Sequence, residues 1–204
     1  MNQRLAFATD YDVSRETLAR FDALADLLVD WQVRMNLVGP RTLADIWERH
    51  FADSAQLLAI AGTGHSWVDI GAGAGFPGLV IALLDPSAEI ALVESIAKKC
   101  RFLSEASTVL SLDGQIKIEN CRIESLPRQK FDIIAARALA SLDQLFDWAL
   151  PFAGSGTRWV LPKGARVDDE LAIASERFAF DYGLVASRTD AAGRIVVASG
   201  VKRR

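Results

Sequence analysis

Along the first sixty or so residues the apolar positions fall three and four apart. Leu18, Phe21, Leu24, Leu28, Trp31 and Met35 make one stripe, the pattern of a helix with one buried face. Ser14 is placed to cap that helix. Gly39-Pro40 breaks the pattern, and Thr42 is placed to cap a second helix carrying Leu43, Ile46, Trp47 and Phe51. Gly62-Thr63-Gly64 reads as a joint. Residues 1–64 are therefore expected to form a helical cap, and 65–204 a core, in one compact unit.

From Trp67 the rhythm changes to strand, helix, strand. Strands are predicted at 66–70, 90–94, 115–119, 131–135 and 158–161. Helices are predicted over 76–84, with Pro77 in the first turn, over 95–110 capped by Ser95, over 142–150, and near 169–175. Residues 183–189 and 194–199 flank Ala191-Ala192-Gly193 and read as a closing β-hairpin. Alternating strands and helices imply an α/β fold with a mainly parallel, seven-stranded sheet, the hairpin adding the antiparallel part. In such sheets ligands sit at the carboxyl ends of the strands, at a topological switch point.

Composition narrows the class. Of 204 residues, 50% are hydrophobic and 24% charged, a globular balance that argues against disorder. The two cysteines, Cys100 and Cys121, form no CxxC, so neither a disulfide framework nor a metal site is expected. The first residues lack a signal-peptide layout, and the longest apolar run, Leu79 to Leu84, is far too short for a membrane span. A cytoplasmic protein is the expectation. The net charge of −3 counts against nonspecific coating of nucleic acid, which needs a basic footprint. Local patches remain, at Lys98, Lys99 and Arg101 and at Lys202-Arg203-Arg204.

The chemistry concentrates after the first predicted strand, in Trp67-Val68-Asp69-Ile70-Gly71-Ala72-Gly73-Ala74-Gly75-Phe76-Pro77-Gly78. Glycine leaves room for a ligand to approach the backbone. Two registers compete. Gly73-x-Gly75-x-x-Gly78 satisfies the dinucleotide fingerprint, with Glu94 about 20 residues downstream. Asp69-x-Gly71-x-Gly73-x-Gly75 instead resembles the first motif of Rossmann-like methyltransferases that use S-adenosylmethionine (SAM). An anionic Asp69 beside a pyrophosphate is unfavourable, whereas beside a sulfonium and an ammonium it is tolerable or helpful, and this favours SAM over a nicotinamide dinucleotide. Glu94 suits either, because two carboxylate oxygens can accept from two ribose hydroxyls. Cys121-Arg122-Ile123-Glu124 follows the third strand, where an adenine would lie against Ile123.

The end of the fourth strand, where acceptor chemistry is expected, reads Ile133-Ile134-Ala135-Ala136-Arg137-Ala138-Leu139-Ala140-Ser141. It holds no [DNS]PP[YF] tetrad for an exocyclic amine and no cysteine nucleophile for carbon-5 of a pyrimidine. Arg137 stands out as a cation at the mouth of the sheet, suited to a carboxylate or phosphate or to an ion pair with a neighbouring acid.

With these segments in place the chain resembles the RsmG/GidB family (glucose-inhibited division protein B), the bacterial 16S ribosomal RNA guanine-N7 methyltransferases. The resemblance covers most of the chain and rests on motifs in order: Trp31-x-x-x-x-Asn36-Leu37, Arg49-His50-x-x-Asp53-Ser54, Val68 to Gly78, Lys99-x-x-Phe102-Leu103, Arg137-Ala138-x-Ala140 and Lys163-Gly164. Trp31-Gln32-Val33 stands where the family has W-N-K, and Ala72 replaces a usual Ser or Thr. The resemblance implies a class I SAM-dependent methyltransferase fold. It implies SAM contacts at Gly71, Phe76, Ile123, Glu124 and Arg137, ribose contact at Glu94, and the turn glycines Gly73 and Gly75 around the cofactor. It places Arg49, His50, Asp53, Ser54 and Lys163 toward the RNA, with Arg137, His50 and Lys163 as positioning candidates. The partner implied is 16S rRNA in the small ribosomal subunit or its precursor, with a monomeric enzyme, no metal and no membrane. Other readings are a small-molecule SAM methyltransferase, a non-catalytic SAM-binding RNA or partner module, and a nicotinamide oxidoreductase.

Overall fold

The computed structural model describes residues 3–204. Helices α1 (Gln3–Asp10) and α2 (Arg15–Gln32) lead the chain. Ser14 caps α2 as its position suggests, its hydroxyl accepting from the Thr17 amide at 3.1 Å. The α2 stripe is buried through Leu18, Phe21, Leu24, Leu28 and Trp31. Phe21 is wholly buried and meets Phe7 edge-on at 4.9 Å; burial of such a side chain contributes about 1.5–3 kcal/mol.

The second helix departs from expectation. Pro40–Thr42 is a single 3-10 turn, Trp47–Ala52 a π-helical turn, and only α3 (Asp53–Ala61) is α-helical. Thr42 caps nothing, because its hydroxyl is committed to the Gly39 carbonyl and the His50 ring.

The sheet follows. Its strands are β1 (Ser66–Ile70), β2 (Glu89–Val93), β3 (Ile116–Glu119), β4 (Phe131–Ala135), β5 (Ala153–Lys163), β6 (Phe178–Ala186) and β7 (Arg194–Arg203). Between them lie α4 (Gly78–Leu84), α5 (Ala97–Val109), α6 (Leu142–Ala149) and α7 (Val167–Arg177). The strand order is β3-β2-β1-β4-β5-β7-β6. The pairs from β3 through β5 are parallel, and β7 is antiparallel to both β5 and β6. From β1 the chain builds outward to β3, then crosses back to place β4 on the other side of β1. That reversal opens a crevice at the carboxyl ends of β1 and β4.

Strand alternation covers both faces. Trp67 joins the cluster that holds Phe7, Phe21, Phe51, Leu92 and Ile133, so the helical cap and one face of the sheet share a core. Val68 and Ile70 join the opposite cluster with Phe146, Trp159 and Phe178.

The strands predicted at 158–161, 183–189 and 194–199 run over Ala153–Lys163, Phe178–Ala186 and Arg194–Arg203, and three of the boundaries that move have a hydrogen-bonding reason. Helix α4 starts at Gly78 rather than Phe76, because the Gly78 amide is held by the buried Asp69 carboxylate at 2.9 Å. Helix α5 starts at Ala97 with no side-chain cap from Ser95; the Ile96 amide is met by Glu94 Oε1 at 2.8 Å. Strand β6 spans Phe178–Ala186, and Ser187–Thr189 leave the sheet because they bond to the helical cap. Among the described residues no helix is long and apolar enough to cross a membrane.

Candidate active site

The loop after β1 turns three times through backbone conformations that favour glycine. Gly71, Gly73 and Gly75 have φ of +69°, +58° and +80°. Hydrogen bonds hold the turn: the Gly71 amide donates to the Val93 carbonyl at 2.8 Å and the Gly75 amide to the Ala72 carbonyl at 2.7 Å. Asp69 lies beneath this loop with 1% exposure. Its Oδ2 accepts from Gly78, while Oδ1 is buried without a hydrogen-bond partner. Burial raises the Asp69 carboxyl to about 7, against the opposing Gly78 hydrogen bond and the Arg137 charge. Asp69 therefore works as the loop's anchor and does not face the crevice.

Glu94, at the end of β2, faces the same loop from the other side. Its Oε2 accepts from the Gly73 amide at 3.0 Å and its Oε1 from Ile96. One carboxylate thus sets the glycine turn and the start of α5, and each oxygen retains acceptor capacity. Ile123, buried, and the exposed Glu124 line the crevice beyond it.

The loop after β4 supplies the facing wall. Ala138 has φ +51°, a left-handed conformation uncommon outside glycine. The Arg137 guanidinium reaches into the cap. It donates to the Arg49 carbonyl at 3.2 Å, to Asp53 Oδ2 at 3.3 Å and to His50 Nδ1 at 3.0 Å. It also lies 5.2 Å from the Phe76 ring centre, and the His50 ring stacks on Phe76 at 5.0 Å and 15°.

Because a guanidinium only donates, His50 Nδ1 must accept and carries no proton. The ring proton then sits on Nε2, 2.8 Å from Thr42 Oγ1, and the Thr42 hydroxyl donates its own hydrogen bond to the Gly39 carbonyl at 2.8 Å. Burial, with the Arg137 and Arg49 charges, pushes the His50 pKa down to about 3. His50 is a neutral ring whose both nitrogens are occupied.

The loop between β6 and β7 closes the site. Thr189 Oγ1 donates to Asp53 Oδ1 at 2.7 Å, and the Arg188 amide donates to Gln56 Oε1 at 2.9 Å. Together these walls enclose an open cavity of about 770 Å³, within the range of cofactor and ligand pockets. Arg49, Lys99, Arg122, Arg137, Lys163 and Arg194 all border it, against Asp53, Glu94, Glu124 and Asp190. The chain is acidic overall, yet cations outnumber anions around this mouth, an excess that suits an anionic partner.

Of the residues singled out from sequence, Gly71, Gly73, Phe76, Glu94, Ile123, Glu124, Arg137, Arg49, His50, Asp53 and Lys163 border the one cavity. Two do not. Gly75 faces inward, where a Cβ would lie 2.2 Å from Leu79 Cδ1 and 3.1 Å from Leu103 Cδ2. Ser54 is wholly buried, and its hydroxyl has no hydrogen-bond partner. Lys163 borders the cavity but its amine is engaged, by Glu170 at 2.8 Å and the Ala140 carbonyl at 2.7 Å. Sequence reading missed Gln56 and the β6–β7 loop, since a glutamine inside a helix and a polar hairpin tip carry no motif.

Comparison with known proteins places the chain. The family profile described as rRNA small subunit methyltransferase G matches residues 17–194. The ribosomal RNA small subunit methyltransferase G of Methylorubrum populi is 42% identical over 200 residues, spanning 96% of this chain and 94% of its own length. That of Rhodospirillum rubrum is 44% identical over 192 residues, spanning 94% of each. Among solved structures, a SAM-dependent O-methyltransferase from Thermotoga maritima superposes with a TM-score of 0.60 at 17% identity, covering 89% of this chain and 72% of the other. M. jannaschii TYW2, solved in complex with AdoMet, gives a TM-score of 0.55 at 14% identity, with coverages of 75% and 77%. At these identities the structural likeness shows the fold, the Rossmann-like class I methyltransferase architecture.

Proposed function

The chain belongs to the rRNA small subunit methyltransferase G family, and from that premise we propose that it uses SAM to methylate N7 of one guanine in 16S rRNA. The observation that carries the reading is the cavity itself, in which the glycine loop and Glu94 face the Arg137 loop across the switch point, with cations at the mouth.

The residues present suit SAM. Gly73 faces open space, with only the Gly71 carbonyl within 4 Å of where a Cβ would be. Glu94 offers its remaining lone pairs to ribose hydroxyls, and Ile123 an apolar surface to adenine. The cofactor set is then Gly71, Gly73, Glu94, Ile123, Glu124 and Arg137. Phe76 supports this set by carrying the His50 ring and the Arg137 guanidinium. Gly75 and Asp69 act one layer below, shaping and anchoring the loop. When bound, SAM supplies an activated methyl group on a sulfonium.

The protein's own part is alignment. Guanine N7 is an acceptor with a free lone pair and no proton, so no general base is required. This fits a site in which His50 is held neutral with both nitrogens engaged. Holding N7 in line with the methyl group contributes through orientation and entropy, and a guanine in a loop, or one extruded from its stack, can enter the crevice. Arg49, exposed at the mouth and held only by a long 3.4 Å bond to the Thr189 carbonyl, is placed to meet RNA phosphate. Arg137, His50 and Asp53 hold one another and position the wall. Lys163 is committed to Glu170, and Ser54 to the core. The enzyme is expected to act as a cytoplasmic monomer on the small subunit or its precursor.

The test is direct. SAM should bind the purified protein, and label from its methyl group should pass to small-subunit RNA from cells lacking the activity. Binding without transfer to any RNA would leave a small-molecule methyltransferase or a SAM-binding module. Binding of a nicotinamide dinucleotide in place of SAM would overturn the cofactor assignment.

A further inference from the structure

We propose that Gln56 is a positioning residue: with Asp53 it latches the β6–β7 loop onto α3 and fixes the cavity wall against which the acceptor nucleotide is held. The inference rests on the RNA-methyltransferase reading for the acceptor, but the latch is visible without it.

Gln56 lies inside α3 with 3% exposure. A buried amide must find partners for both its donors and its acceptor, and this one finds them in Asp53 on its own helix and across more than one hundred residues of chain. Its Oε1 accepts the Arg188 amide at 2.9 Å. Its Nε2 donates to Asp53 Oδ1 at 3.0 Å and approaches Ser187 Oγ at 3.3 Å and Thr189 Oγ1 at 3.4 Å. Asp53 Oδ1 in turn receives the Thr189 hydroxyl at 2.7 Å, while Asp53 Oδ2 receives Arg137. Gln56 and Asp53 therefore join three separate walls of the cavity: the cap, the β4–α6 loop and the β6–β7 loop. The tip is also met from outside, by Arg49 Nη1 on the Thr189 carbonyl at 3.4 Å and by Arg188 over the Tyr11 ring at 5.6 Å.

The geometry explains the early end of β6. Ser187, Thr189 and Asp190 border the cavity, and the strand order β3-β2-β1-β4-β5-β7-β6 puts their loop across β1 and β4 from the β2 and β3 ends that carry Glu94 and Ile123. They face the space left for the acceptor rather than the cofactor pocket. A wall built from a hairpin tip is mobile by default, and four bonds to α3 oppose that mobility.

The experiment compares Gln56→Leu, Thr189→Val and Thr189→Ser with the wild type. Leu keeps the bulk of Gln56 without its bonds. Val removes the Thr189 hydroxyl at a partly exposed site, so folding is not at stake, and Ser restores it. Amide hydrogen exchange over 187–193 should rise about tenfold in Gln56→Leu and severalfold in Thr189→Val, as expected for lost buried hydrogen bonds, and return to the wild-type rate in Thr189→Ser. KM for small-subunit RNA should rise by a similar factor, with kcat changed less and the SAM dissociation constant unchanged. Unchanged exchange in both Gln56→Leu and Thr189→Val would overturn the latch. A SAM affinity that weakens in step with KM would overturn the acceptor-side assignment. Should the wild-type protein transfer no methyl group to RNA, the functional reading falls, and the exchange data alone decide the latch.

Discussion

Protonation of His50 is the sharpest handle on the network. In the folded protein its Nδ1 accepts from Arg137, its pKa is pushed to about 3, and in the unfolded chain it titrates near the ordinary 6.5. Its folded pKa is depressed, so the unfolded state binds the extra proton below pH 6.5. The stabilisation is present above that pH and is lost as pH falls toward 3. Between pH 7 and pH 5 the folded ring stays neutral while the unfolded ring charges. Linkage across that interval gives a loss of about 2 kcal/mol, a figure that does not depend on how far below 5 the folded value lies. His50→Gln keeps one acceptor and donors but does not titrate. Denaturant unfolding of both proteins at pH 7 and pH 5 isolates the effect, because the other titrating groups are common to both and cancel. The wild type should lose about 2 kcal/mol more than the variant. Parallel losses would mean that folded His50 takes up a proton normally, and the Arg137–His50–Thr42 chain would be refuted.

Other substitutions probe the neighbouring parts. Gly75→Ala places a Cβ 2.2 Å from Leu79 at a φ of +80°; the overpacking and left-handed strain should cost about 2–4 kcal/mol in denaturant unfolding, and a loss under about 0.5 kcal/mol would contradict the inward-facing assignment. Glu94→Gln sets an amide NH₂ against the Gly73 or Ile96 N–H; SAM affinity measured by calorimetry should fall about tenfold to a hundredfold, and unchanged affinity would remove Glu94 from the cofactor site. Lys163→Met leaves the Glu170 carboxylate with the Leu142 amide but no cation and should act on stability, by about 1–3 kcal/mol, more than on KM for RNA; the opposite pattern would restore Lys163 to the RNA contact set.

The core of the fold was readable because its signals are local. The run from Trp67 to Gly78 marks a buried strand and its glycine turn, and Glu94 follows a second apolar strand, so both lie where the spacing puts them. The site's second half rests on contacts distant in sequence. Arg137 stood out as a cation at a strand end, but its tie to His50 and Asp53 spans more than eighty residues. Ser187-Arg188-Thr189 is polar throughout and follows directly on the apolar Leu184-Val185-Ala186, so nothing local marks where the strand stops; the bonds to Gln56 and Asp53 hold these residues outside the sheet. The broken helix at Pro40–Ala52 has the apolar spacing of a regular one. In the folded chain its 3-10 and π turns accompany the Thr42–His50 bond, a contact that no window of sequence reveals.

The central claim is a single methyl group on guanine N7, delivered through the cavity between the glycine loop and the Arg137 loop. The measurement that tests it most directly labels small ribosomal subunits from cells lacking this activity with methyl-labelled SAM and the purified protein, then maps strand cleavage at N7-methylguanine along the RNA. The account predicts one labelled, cleavable guanine in 16S rRNA, at a rate that falls sharply in Glu94→Gln. Label at a position that does not cleave, or no label in RNA despite SAM binding, would contradict it.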